Sequence, residues 1–317
     1  MNLEQFPKKV RIVEVGARDG LQNEKSVIDT ADKVEFIKKL ADAGHQSIEV
    51  TSFVRPDRIA QMSDAKELFP LVKKIIDPDK TQLICLVPNL KGLELASELG
   101  VKDVAVFTAT SDSFNLKNIN ATVSQSFDRI EPVIEKALAS GMRVRGYVST
   151  AFGCPYEGAM DPRKAGLVAQ RLDQMGCHEI SIGDTIGTGT PYSVHKVLDE
   201  VLKSVSQEKV ALHFHDTRGM AVANVMAGLE RGIAHYDSSA GGLGGCPYAK
   251  GATGNVGTED LIYLFHTFGI DCGVDLDKQC VSSLYMLEKL EKYTTSKFLQ
   301  AYLNGKMKIY MPSPKDF

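Results

Sequence analysis

Val10-Arg11-Ile12-Val13-Glu14-Val15-Gly16-Ala17-Arg18-Asp19-Gly20 is the stretch on which the fold turns. Its first half is apolar and β-branched, which reads as a strand. The residues directly after that strand separate two α/β architectures. A dinucleotide-binding open sheet wants G-x-G-x-x-G directly after its first strand. This chain puts Gly16-Ala17-Arg18-Asp19-Gly20 there, so that reading falls. A charged pair at a first-strand tip suits a barrel instead, because barrels gather their reactive groups at the carboxyl ends of the strands.

The rest of the chain repeats the same alternation. Short apolar runs at 10–16, 47–52, 81–87, 103–108, 143–149, 179–183, 210–215 and 235–239 are expected strands, each followed by a helical pattern. Residues 32–40 show the i, i+3, i+4 apolar spacing of such a helix. Gly44, Gly100, Gly141, Gly176 and Gly232 fall just past the expected helix ends, where glycine accepts the left-handed cap. Strands alternating with helices predict parallel βαβ units. Eight of them within roughly 260 residues predict an α/β fold, a (β/α)8 TIM barrel. We place that catalytic domain at 1–270 and a short C-terminal helical extension at 271–317, packed on the barrel and carrying a helix over 281–293.

Composition narrows the function. The 317 residues are 43% hydrophobic and 24% charged with a net charge of −3, which gives no basic footprint for nucleic acid. No apolar run approaches the ~20 residues of a membrane span, and the first residues show neither a signal peptide nor an arginine-rich transit segment. The 6 cysteines are scattered without a CxxC pair. A reducing, cytoplasmic setting is the expectation.

Polar residues collect at the expected strand ends: Arg18 and Asp19, Glu49, Asp184 and Thr185, and His213 and His215. Two histidines two residues apart on a strand face the same way. With Asp19 on the same rim they form a candidate metal site, completed by the amide oxygen of Asn255. Imidazole and carboxylate ligands suit Mg²⁺ or Mn²⁺ better than a structural zinc; a zinc site using the thiols of Cys154 and Cys246 is the alternative. Cys246 stands in Gly241-Gly242-Leu243-Gly244-Gly245-Cys246-Pro247-Tyr248, too glycine-rich for helix or strand. Such a loop could carry a reactive thiol over a pocket. Cys154, in Gly153-Cys154-Pro155-Tyr156, lacks those glycines and reads as structural or pocket-lining. Arg18 is a permanent cation suited to developing negative charge. Glu49 would be its partner or half of a structural ion pair, Asp184 a support for the metal or a substrate contact. Lys25, Lys117 and Lys250 are candidates for an anionic cofactor tail.

Together these segments resemble the 3-hydroxy-3-methylglutaryl-CoA lyases, metal-dependent barrel enzymes related to Claisen synthases. The resemblance runs from about Val10 to Tyr293. It is carried by Val15 to Lys25, by Pro88-Asn89-Leu90-Lys91-Gly92, by Ser181-Ile182-Gly183-Asp184-Thr185 and above all by the Cys246 loop. Ala17 stands where proline is common, and Phe214 lies between the histidines; neither change removes a functional group. The resemblance implies cleavage of the acyl-CoA into acetyl-CoA and acetoacetate. It implies a divalent cation on Asp19, His213, His215 and Asn255, an enolate held by Arg18 and a proton carried by Cys246. Gln22, Glu49, Ser181, Asp184 and Thr185 would line or support the pocket, with His213 and Asp184 the candidates for the base. A homodimer is the expected assembly. A related acyl-CoA lyase, or a synthase condensing acetyl-CoA with a 2-keto acid, is the alternative.

Overall fold

The computed structural model describes residues 5–245 and 254–303. Strands β1 (Arg11–Glu14), β2 (Ser47–Ser52), β3 (Gln82–Leu86), β4 (Asp103–Ala109) and β5 (Arg143–Ser149) come first, then a small antiparallel hairpin of β6 (Gly153–Cys154) and β7 (Gly158–Ala159). β8 (Glu179–Asp184), β9 (Val210–Phe214) and β10 (His235–Ser238) complete the set among the described residues. All strands but the hairpin pair in parallel, and β10 returns to β1 to close the barrel. The helices are α1 (Thr30–Asp42), α2 (Ala65–Ile75), α3 (Leu90–Glu98), α4 (Asp112–Ile119), α5 (Val123–Ala139), α6 (Pro162–Gln174), α7 (Pro191–Val201), α8 (Ala221–Glu230), α9 (Thr258–Thr267), α10 (Leu276–Lys289) and α11 (Lys297–Leu303).

Alternation along the strands sorts side chains into two populations. Ile12, Ile48, Val104, Val144 and Ile180 face outward and join the large apolar shell under the helices. Val13, Val15, Ile84, Leu86, Ala105 and Tyr147 form a separate, smaller cluster. The same period puts Arg11 in line with Val13, and Arg145 in line with Tyr147, on the inward face. The barrel centre is therefore only partly apolar, and the rest of it is a column of charge.

The expected first strand runs to residue 16, but β1 stops at Glu14. The reason is the Glu14 carboxylate, whose Oε1 accepts the amides of Gly16 at 2.8 Å and Ala240 at 2.9 Å. The backbone turns there into a π-helical turn over Gly16–Gly20, which carries Arg18 and Asp19 to the mouth. The expected helix over 281–293 begins five residues earlier, as α10, with the Asp275 side chain accepting the Lys278 amide. Its buried face includes Gln279, Ser282 and Ser283, so an apolar period could not find its start. It ends before Glu291, whose φ is 51°. The five expected cap glycines all take positive φ. At Gly44 (φ +105°) an added Cβ would lie 2.3 Å from the carbonyl oxygen of Gly273, which seats the chain before α10 against the end of α1.

Glu14 lies in a buried network with few cations. Its Oε2 accepts the Thr258 hydroxyl at 2.6 Å, and Nε2 of His45 stands 3.9 Å away. Burial pushes the Glu14 carboxyl up to about 8, with Glu259 adding to the rise, against the hydrogen bonds it accepts. Burial also pushes His45 down to about 4, so it brings no charge to Glu14 above that value. A carboxyl raised in the fold contributes stability that is complete below its ordinary 4.5 and is lost as pH rises towards about 8. Glutamine could keep its oxygen on the two amides and turn its NH2 to Thr258. The unfolding free energy of the native protein minus that of Glu14→Gln should therefore fall between pH 5 and pH 8 in urea melts. A difference flat across that range would show that Glu14 does not titrate there.

Candidate active site at the barrel mouth

His213 closes the inward face of β9, and His215 comes directly beyond the strand end. With Asp19 on the π-turn they offer three ligand atoms within 4.8 Å of one another. Nδ1 of His213 donates to Asp237 Oδ2 at 3.1 Å, which leaves its other ring nitrogen for the mouth. Nδ1 of His215 is buried without a partner among the described residues. Asn255 pairs with the His215 backbone, and its Nδ2 donates to Asp19 Oδ2 at 2.8 Å and to the Leu243 carbonyl at 3.1 Å. Its Oδ1 is buried and accepts nothing among the described residues.

The charges there set the protonation of the three groups. Burial works against ionised Asp19, yet the charges of Arg18 and the two histidines hold it down at about 2. Burial and the His213 charge push His215 down to about 4, which keeps a lone pair available. Burial lowers His213 too, but the hydrogen bond and charge of Asp237 outweigh it and raise it. One carboxylate, two imidazoles and an amide oxygen are a donor set that fits a divalent cation.

Arg18 is fixed beside this cluster. Its Nη2 meets Glu49 Oε2 at 2.7 Å, its Nη1 meets Asp19 Oδ1 at 2.8 Å, and it lies over the Tyr147 ring at 5.7 Å. The Tyr147 hydroxyl donates to Glu49 at 3.0 Å. Nε of Arg18 is buried and has no acceptor among the described residues.

A cavity of about 950 Å³ opens above these groups and is lined by Arg18, Asp19, Gln22, Thr185, His213 and His215 among others. Oε1 of Gln22 is buried without a partner among the described residues, and Thr185 accepts the Thr150 amide at 2.9 Å. Glu49 and Ser181 support the floor from beneath. Ser181 donates to Asp237 at 2.8 Å. The oxygens of Asp184 accept the amides of Thr188 and Gly189 at 2.9 and 2.8 Å, outside the cavity lining, and burial raises its pKa. Lys117 lines the outer cavity, with Arg55, Arg58 and Arg129; Lys25 is exposed away from it. Cys154 is buried against Ser111 at 3.0 Å, on the hairpin after β5. Cys246 and Lys250 lie outside the described residues.

Sequence reasoning passed over Arg145, Tyr147 and Asp237. The signal was present: polar or charged residues at period two within strands otherwise read as apolar, Arg143-x-Arg145-x-Tyr147 and His235-x-Asp237.

Comparison with known proteins bears on this geometry. A family model described as HMGL-like matches residues 9–283. A Pseudomonas aeruginosa protein named 3-hydroxy-3-isohexenylglutaryl-CoA/hydroxy-methylglutaryl-CoA lyase is 51% identical over 276 residues, 87% of this chain and 90% of that protein. A Rattus norvegicus protein named 3-hydroxy-3-methylglutaryl-CoA lyase, cytoplasmic, is 46% identical over 305 residues, 96% of this chain and 88% of its own length. The crystal structure of a hydroxymethylglutaryl-CoA lyase from Pseudomonas aeruginosa superposes with a TM-score of 0.92 at 48% identity, covering 95% of this chain and 99% of that one.

Proposed function

The chain belongs to the HMGL-like family, and from that premise we propose that it cleaves 3-hydroxy-3-methylglutaryl-CoA to acetyl-CoA and acetoacetate at the barrel mouth. The observation that carries the reading is the convergence of Asp19, His213 and His215 beside Arg18, under a cavity large enough for an acyl thioester. Asp19, His213 and His215, with Asn255 as a further ligand, would hold Mg²⁺ or Mn²⁺. A divalent cation supplies Lewis acidity that lowers the pKa of the tertiary hydroxyl and orients the acyl chain.

The residues do the rest. As the C2–C3 bond breaks, the hydroxyl proton must pass to a base facing the cavity; His213 lines it, whereas Asp184 anchors the turn at Thr188 and Gly189 instead. Electrons move to the thioester carbonyl, and Arg18 holds that oxygen as it becomes an enolate. Cys246 then delivers a proton to carbon and releases acetyl-CoA. At the outer cavity Arg55, Arg58, Lys117 and Arg129 offer cations to the coenzyme phosphates. The cytoplasmic relative supports a cytoplasmic location. Among the described residues no helix is long and apolar enough to cross a membrane.

Purified protein should release acetoacetate from 3-hydroxy-3-methylglutaryl-CoA, lose that activity in excess EDTA and regain it with added Mg²⁺ or Mn²⁺. A folded, metal-binding protein that releases none would sink the reading.

A further inference from the structure

The charge column in the barrel has a direction. Asp237 of β10 is the register partner of His213 on β9. Its Oδ2 accepts Nδ1–H of His213 at 3.1 Å, the Ser181 hydroxyl at 2.8 Å and Nη1 of Arg145 at 3.1 Å. Its Oδ1 accepts Nη2 of Arg145 at 2.6 Å. The Arg145 Nε reaches Glu179 at 2.5 Å, and Glu179 in turn meets Arg11 at the far end of the barrel. Arg145 is fully buried and Asp237 nearly so. The Arg145 guanidinium lies 4.7 Å from the centre of the Tyr147 ring, the same tyrosine that Arg18 covers from the mouth side.

We propose that Asp237 and Arg145 are positioning residues for the cation: Asp237 fixes the tautomer and ring plane of His213, and Arg145 fixes Asp237. This inference rests on the cation reading above. A carboxylate at Nδ1 requires that nitrogen to carry the proton, so the lone pair sits on Nε2, the atom turned to the mouth. Partners of this kind orient a ligating histidine and raise its basicity. Arg145 is suited to the task because its planar fork grips both oxygens of Asp237 at once, which a lysine ammonium cannot do. Ser181 adds a third donor on the same carboxylate and removes its remaining freedom to rotate. A buried ion pair with no role at the mouth would need none of this alignment with His213.

Mn²⁺ titrations of metal-free protein, with free Mn²⁺ read by electron paramagnetic resonance, test the assignment beside guanidinium unfolding midpoints. The native protein should bind Mn²⁺, and its failure to do so would overturn the cation reading itself. Asp237→Asn should weaken Mn²⁺ binding about 10–100-fold. Arg145→Lys should weaken it less, in the same direction, and decides the matter if Asp237→Asn does not fold. Glu179→Gln breaks the column on its other side, and should lower the midpoint while leaving Mn²⁺ affinity unchanged. Native-like Mn²⁺ affinity in both Asp237→Asn and Arg145→Lys would reduce the pair to a structural ion bridge. So would an equal loss of affinity in Glu179→Gln, because the effect would then follow the column as a whole.

Discussion

Arg18→Met is expected to lower kcat by about 10²–10³, the usual cost of losing one preorganised oxyanion donor. Among the described residues Nε has no acceptor, while the other two nitrogens meet Glu49 and Asp19. Arg18 itself lines the cavity, within reach of an oxygen that enters it. The same substitution leaves Glu49, fully buried, without its cation. Breaking a buried pair from one side costs about 3–5 kcal/mol, so the unfolding midpoint should fall as well. The two effects separate through Arg18→Lys, which returns charge near Glu49 but cannot hold Glu49, Asp19 and an enolate oxygen together. It should recover most of the stability and little of the rate. Steady-state kinetics and melts on both variants decide, and a methionine variant keeping more than a tenth of native kcat removes Arg18 from enolate stabilisation.

Cys246→Ala should cost about 10²–10⁴ in turnover, the range for a positioned acid or base, with no loss of stability. Cleavage of C2–C3 leaves an enolate that must be protonated at carbon, and Arg18, whose charge is permanent, is no proton donor at working pH. A thiol near neutral pH both gives and takes protons. The diagnostic is therefore exchange as well as turnover. Native protein given acetyl-CoA in D2O should wash deuterium into the acetyl methyl, and the alanine variant should not. Exchange at the native rate in that variant would assign the proton to another group.

The barrel was legible because its strands are short apolar runs and its helices are closed by cap glycines, and each of these signals is local. The ends moved where a distant side chain intervened, as Glu14 does in stopping β1, or where a helix such as α10 buries hydroxyls and amides. At the site, Asp19, His213 and His215 could be read because strand ends and two-residue spacing are sequence properties, and Glu49 because its strand position faces inward beside Arg18. The support for Arg18 by Tyr147, and for His213 by Asp237, could not. Tyr147 reaches Arg18 through Glu49, 98 positions away, and Asp237 stands 24 positions from His213, so both contacts come through register alone. Nor does strand polarity say that Asp184 commits both oxygens to its own turn.

The charge column also governs how such a chain can change over generations. The outward face of the strands is apolar, and neighbours there can trade a methyl group at modest cost. Inside, Arg11, Glu179, Arg145 and Asp237 are linked in series, so a change at any one strands a buried charge on the next. A scan of single substitutions should find these four positions nearly closed, while paired replacements reopen them. The interior can drift only in concert, and this couples the history of one end of the barrel to that of the other.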